Sequence, residues 1–158
     1  MDRSEPGQNV LTVAGPSKTP SRGAGYSGTP LAKKLGLRPG HVLALVGAPA
    51  GWEVEGLPEG ARSRRGMRGP ADVVVVFVRA AAELDTVCKP VVARLRPEDA
   101  LWIAWPRRAG GHDSDLTENL LRQVLLPTGL VDVKVAALDT NWSGLRFVWR
   151  KELRSGKR

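Results

Sequence analysis

The segment Asp72–Val78 (DVVVVFV) limits the possible folds more than any other part of the chain. Four consecutive valines and a phenylalanine leave no polar side for water. β-Branched residues also suit a pleated strand better than a helix. A strand of this kind is covered on both faces, as in a mostly parallel sheet with helices packed on each side. Two more runs share the character: His41–Val46 (HVLALV) and Ala100–Trp105 (ALWIAW).

The segments around these runs predict the covering layers. Leu84, Val87, Cys88, Val91, Val92 and Leu95 recur at helical spacing, so a helix is expected over 80–95, kinked or restarted at Pro90. A second helix is expected from Asp115, with Glu118 as capping-box partner and Leu116, Leu120, Leu121, Val124 and Leu125 on its apolar face. Pro127 and Gly129 end it. Thr29-Pro30 predicts a short early helix, with threonine as its cap and proline at its first position, that stops at Gly36. Trp52–Leu57 is expected to form a helical turn, and residues 61–65 a short edge strand. Residues 131–138 read as a strand, and 145–149 return as its hairpin partner. The expected fold class is α/β: a three-layer, Rossmann-like arrangement with a mostly parallel sheet and a C-terminal antiparallel hairpin strand. Residues 1–25, rich in Pro, Gly and Ser, read as a disordered leader. Residues 26–153 form the domain and 154–158 a basic tail.

A chain of 158 residues is long enough for one core without metal or disulfide staples. Cys88 is its only cysteine, which fits a reducing, cytoplasmic setting. The first residues lack the apolar stretch of a secretory signal, and no run approaches the length of a membrane span, so no membrane partner is expected. The net charge of +8 is local. It resides in Arg62, Arg64, Arg65 and Arg68 and in the stretch 150–158 (RKELRSGKR). Such segments attract nucleic acid without reading its sequence, or serve as solvated surface.

Motifs of chemistry are sparse. Gly23-Ala24-Gly25-Tyr26-Ser27-Gly28 has the G-x-G-x-x-G pattern, but no strand precedes it, so it is not a dinucleotide fingerprint. There is no P-loop, nucleophile elbow, zinc motif or cysteine pair, and neither a cofactor nor a metal is expected. Cys88 sits on an apolar helix face and reads as a buried small hydrophobe. His112, beside Asp113 and Asp115, is the one loop histidine with acid–base or metal-binding potential.

In open parallel sheets, ligands bind beyond the carboxyl ends of the strands. That rule gathers Tyr26, Ser27, Thr29, Trp105, Arg107, Arg108, Asp139 and Trp142 into one candidate site, together with Gly47–Trp52 and Arg79. Two arginines and two indoles suit a phosphorylated or carboxylated aromatic ligand.

Two resemblances accompany this reading. The ending in an antiparallel hairpin looks like the Rossmann-like class used by many methyltransferases. Set against that family's first motif, Ala44 takes the acidic position, and Val46 and Ala48 take glycine positions. No carboxylate closes 61–65, where a ribose ligand is expected, so this resemblance supports the fold and argues against ordinary S-adenosylmethionine binding. Second, Gly25-Tyr26-Ser27-Gly28-Thr29-Pro30-Leu31 with Lys34-Leu35-Gly36, Trp105-Pro106-Arg107, Asp115-Leu116-Thr117-Glu118, and Gly129–Val135 with Trp142-Ser143-Gly144-Leu145 resemble the bacterial family called domain of unknown function 3052. That resemblance covers about residues 24–153 and implies a small Rossmann-like protein without a stated activity. The first functional expectation is a non-catalytic module binding a small anionic ligand or a protein partner. The alternatives are a diverged, methyltransferase-like transferase with His112 or Asp139 as its acid–base group, and weak nucleic-acid binding through the basic segments.

Overall fold

The computed structural model describes residues 29–156. Six strands form one sheet: β1 (Val42–Val46), β2 (Arg62–Arg65), β3 (Val73–Phe77), β4 (Ala100–Pro106), β5 (Leu130–Ala137) and β6 (Trp142–Trp149). Their spatial order is β2-β1-β3-β4-β6-β5. The first four run parallel, while β6 lies antiparallel between β4 and β5. The hairpin therefore inserts its second strand against β4 and leaves β5 at the edge. The expected α/β class holds, including the antiparallel C-terminal hairpin.

The apolar runs are buried as their composition requires. All five residues of β3 are buried, as are the first six of β4. Their side chains alternate between two cores. One core holds Val74, Val76, Leu101, Ile103 and Trp105 beneath Leu84, Cys88, Leu121 and Leu125. The other holds Val75, Phe77, Trp102 and Trp142 beneath Ala32 and Leu35. The helices α1 (Leu31–Lys34) and, opposite, α2 (Lys89–Val92) and α3 (Glu118–Leu125) thus complete three layers. The edge strand β2 (RSRR) is charged and exposed at three of its four positions, a composition that discourages pairing with another chain.

Several local expectations change. The helix expected over 80–95 is shorter: a π-turn over Leu84–Cys88 runs into α2, where Pro90 falls in the first turn. The run is continuous, with Cys88 and Lys89 both helical, and the π-turn just before Pro90 marks where its missing N–H interrupts the regular α-helical ladder. Asp115 does not begin α3. Thr117 is the cap, its Oγ1 accepting from Leu120 N at 3.1 Å, and Glu118 pairs with Arg122 at 3.1 Å instead of closing a capping box. Asp115 accepts from Ala81 N at 2.8 Å and ties two loops together. Pro30, not Thr29, holds the cap position of α1, with no side-chain cap bond. Residues 52–57 form no helical turn. A final helix, α4 (Lys151–Gly156), spans the point where the basic tail was expected to start, and Leu153 packs on the first core.

Cys88 is fully buried, as the sequence implies. Burial, reinforced by Asp85 and Glu83, pushes its thiol up to about 12. At pH 8 roughly one thiol in ten thousand is then ionised. Native protein should therefore resist a thiol-reactive reagent that titrates one equivalent after guanidinium unfolding. Stoichiometric native labelling within minutes would contradict that burial.

Candidate functional site at the carboxyl face

The carboxyl ends of the strands converge as expected, because β1, β3 and β4 end together and the β5–β6 turn folds over them. Gly47 turns the chain sharply after β1 at φ +73, where a side-chain Cβ would meet the Phe77 carbonyl at 3.2 Å. This close approach and left-handed backbone both require glycine.

The sheet's strand order reverses between β1 and β3. An aromatic cluster lies over that point. Trp52 meets Phe77 edge-on, with centroids 4.8 Å apart, and Phe77 meets Trp142 edge-on at 5.0 Å. The Arg79 guanidinium lies 5.2 Å from the Trp142 ring centroid and donates to Gly47 O at 3.2 Å. Asp139 holds the cluster. Its Oδ2 accepts from Trp52 Nε1 at 3.0 Å, and its Oδ1 accepts from Asn141 N and Trp142 N, both at 2.8 Å. Arg65, at the end of β2, donates to Trp52 O at 2.7 Å and to Ala48 O and Pro49 O at 3.3 and 3.4 Å.

A cleft of about 510 Å³ opens on the same face beside the edge strand β5. Thr29, Lys34, Trp105, Arg107, Glu118, Lys134 and Ser143 contribute to its wall. Arg107 is nearly buried, and its Nη1 donates to Thr140 O at 3.2 Å. Lys34 is also buried and donates to Ala137 O at 2.6 Å. Burial, then the charges of Lys134 and Arg107, push its ammonium below the ordinary lysine value.

The structure divides the candidate residues. Thr29, Trp105 and Arg107 share the cleft. Asp139 and Trp142 belong to the aromatic cluster, where Asp139 shapes a turn. Trp105 and Trp142 pack into opposite cores. Arg108 is exposed on a 3-10 turn (Arg108–Gly110). Tyr26 and Ser27 lie outside the described residues. His112 is exposed, and its Nε2 lies 2.9 Å from Asn141 Oδ1. Among the described residues, no group of three His, Cys, Asp or Glu side chains is placed to hold a metal ion. None of the described helices is long and apolar enough to cross a membrane.

Sequence reasoning missed two participants, Lys34 and Lys134, which are absent from the candidate set, whereas Trp52 lies on this face as the segment Gly47–Trp52 implied. Two arginines of the basic cluster are braces rather than free charges: Arg65 as above, and Arg64, which donates to Gly69 O and Pro70 O. Arg62, Arg65 and Arg68 of that cluster are exposed, Arg65 while bonded to loop carbonyls.

Solved structures share the fold of this chain. A SAM-dependent methyltransferase from Aquifex aeolicus superposes with a TM-score of 0.51 at 13% identity, over 73% of this chain and 85% of that one. A ribosomal protein L11 methylase from Lactobacillus delbrueckii subsp. bulgaricus gives 0.50 at 11% identity, over 76% and 75%. The tRNA methyltransferase TrmK of B. subtilis gives 0.50 at 13%, over 78% and 65%. The likeness is one of fold. No family model and no curated protein sequence matches the chain.

Proposed function

We propose that the chain is a diverged, methyltransferase-like transferase that takes a small anionic ligand at its carboxyl face. The sheet order carries this reading: β6 lies antiparallel between β4 and β5, as part of a fold shared with methyltransferases. The basic cleft beside it supplies Arg107, Lys34 and Lys134 for an anion. Membership in domain of unknown function 3052 and a cytoplasmic setting belong to the same proposal; they rest on the motif residues and the single cysteine.

The residues present do not fit S-adenosylmethionine in the manner usual for this fold. Ala44 is fully buried at the motif's acidic position. Arg65 closes β2 where a ribose carboxylate is expected, and it is bonded to three loop carbonyls. Trp52 and Phe77 cover the turn at Gly47. No methyl-transfer step is therefore assigned.

A thermal-shift panel tests the proposal. It holds S-adenosylmethionine, S-adenosylhomocysteine, nucleotides and phosphorylated metabolites. A ligand in the cleft at a hundredfold excess over Kd adds about 2.7 kcal/mol of stability. That shift should disappear in Arg107→Ala and persist in Arg108→Ala, because only Arg107 lines the cleft. For a ligand without linked phosphates, a shift retained in Arg107→Ala would contradict the site. A second reading, a non-catalytic binding module, is favoured by one observation: both acid–base candidates are engaged, Asp139 with three donors and His112 with Asn141. Turnover of the stabilising ligand, lost in His112→Ala or Asp139→Asn, would exclude it.

A further inference from the structure

A second concave site lies away from the carboxyl face, near the amino ends of β3 and β4. It is a cavity of about 620 Å³ under the C-terminal end of α1. Five cationic side chains line it: Lys33, Lys34, Arg38, Lys134 and Arg146. The backbone explains the convergence. Arg146 stands opposite Trp102 on β4 and opposite Lys134 on β5 in the strand register, on the sheet face that α1 covers. Gly36 then turns the chain beside the Arg146 guanidinium, with 3.6 Å between Nη2 and the position of a Gly36 Cβ.

Cations outnumber carboxylates in its lining. Two carboxylates, Asp72 and Glu98, also border the cavity, but both face Arg96, at 3.4 and 3.6 Å. Asp72 further accepts from Val42 N at 2.8 Å. The Nε of Arg146 is buried and has no hydrogen-bond partner among the described residues. Burial pushes this guanidinium below its ordinary value. The Nε is closed to the cavity, so an anion there meets the guanidinium through its Nη groups, and its negative charge offsets the cost of a half-buried cation. His41 adds a donor, because its Nδ1 accepts from Arg38 N at 3.1 Å and a neutral ring then carries its proton on Nε2.

We propose that this cavity binds a small anion bearing two or more phosphate groups, with Arg146 as its central contact. Several separated cations around a concave space suit several linked phosphates better than one carboxylate. A guanidinium offers them its planar fork of donors. Lys34 and Lys134 also line the carboxyl-face cleft, but Arg146, Lys33 and Arg38 do not, so variants of these three test this cavity apart from the transferase reading.

The test is a titration of the full chain with inorganic pyrophosphate, read by thermal shift, with sodium sulfate and sodium chloride at matched ionic strength. Pyrophosphate should raise Tm by about 3 °C or more at saturation. Arg146→Gln should weaken its apparent Kd about tenfold or more, the size expected for a charge-assisted bond. The double variant Lys33→Gln/Arg38→Gln changes two exposed side chains without disturbing the core, and should weaken the Kd several-fold even if Arg146→Gln folds poorly. Without phosphate, Arg146→Met should be as stable as the parent chain or more so. An Arg107→Ala chain should keep the full pyrophosphate response at this cavity. Equal shifts with sulfate or chloride, no shift with pyrophosphate, or an unchanged Kd in both cavity variants would overturn the proposal.

Discussion

Trp102→Ala should lower stability by about 3–5 kcal/mol, the range for deleting a fully buried tryptophan. For a domain of this size, that is a fall in Tm of roughly 10 °C or more. Trp102 has no exposed surface and lies between β3 and β6 in the core that α1 covers. Gly144 makes room for it: a Cβ there would come within 2.9 Å of the Trp102 ring. The indole Nε1 donates to Leu35 O at 3.2 Å, so the substitution also leaves that carbonyl at the C-terminal end of α1 without its donor. Trp102→Phe should cost less, since it keeps most of the apolar volume and loses only that bond. Urea unfolding would check both values, with the midpoint moving and the slope unchanged. A Trp102→Ala chain within 1 kcal/mol of the parent would contradict the packing described.

Asp139→Ala should cost about 2–4 kcal/mol. Its carboxylate serves three N–H donors: Trp52 Nε1, Asn141 N and Trp142 N. Each bond contributes on the order of 1 kcal/mol net, and a donor left bare costs more. The loss should reach beyond stability. Without Asp139 the β5–β6 turn relaxes, Trp52 loses its anchor, and its fluorescence should move toward the red as water reaches the ring. Asp139→Asn keeps an oxygen for the turn but sets an amide N–H against Trp52 Nε1 if that oxygen faces the turn, so an intermediate cost is expected. A neutral Asp139→Ala would remove Asp139 from its bracing role and restore it as a candidate acid–base group.

The elements visible in the sequence are those in which burial governs composition. DVVVVFV, HVLALV and ALWIAW have no polar face, so helices must cover both sides of their sheet, and they do. Leu121 and Leu125 repeat at helical spacing because one face of α3 meets that sheet. Boundaries set by a single bond were harder to see. Whether Asp115 or Thr117 caps α3 depends on which oxygen reaches Leu120 N, and Asp115 is drawn instead to Ala81, 34 positions away. The site was legible only by its face. The loops after β1, β3, β4 and β5 do converge, which follows from strand direction alone. Side-chain direction within the face was not legible. One step in register sends Trp105 into one core and Trp142 into the other, and the bond from Trp52 to Asp139 spans 87 positions. Lys34 and Arg65 look like surface charge in any local window, yet each is committed to carbonyl groups more than ten residues away.

The central claim is that the aromatic cluster occupies the point of strand reversal, and that ligands enter through the Arg107 cleft instead. The indole N–H resonances report on it directly, since Trp52 and Trp142 mark the cluster and Trp105 marks the cleft. The full chain, labelled with ¹⁵N, would be titrated with the ligand that stabilises it most in the Arg107-dependent screen, and separately with S-adenosylmethionine. The account predicts a saturable shift of the Trp105 signal with the first ligand, while Trp52 and Trp142 stay in place, and no saturable shift with the second. A saturable movement of Trp52 and Trp142 on adding S-adenosylmethionine would contradict it, and would restore the cofactor to the crevice over Gly47.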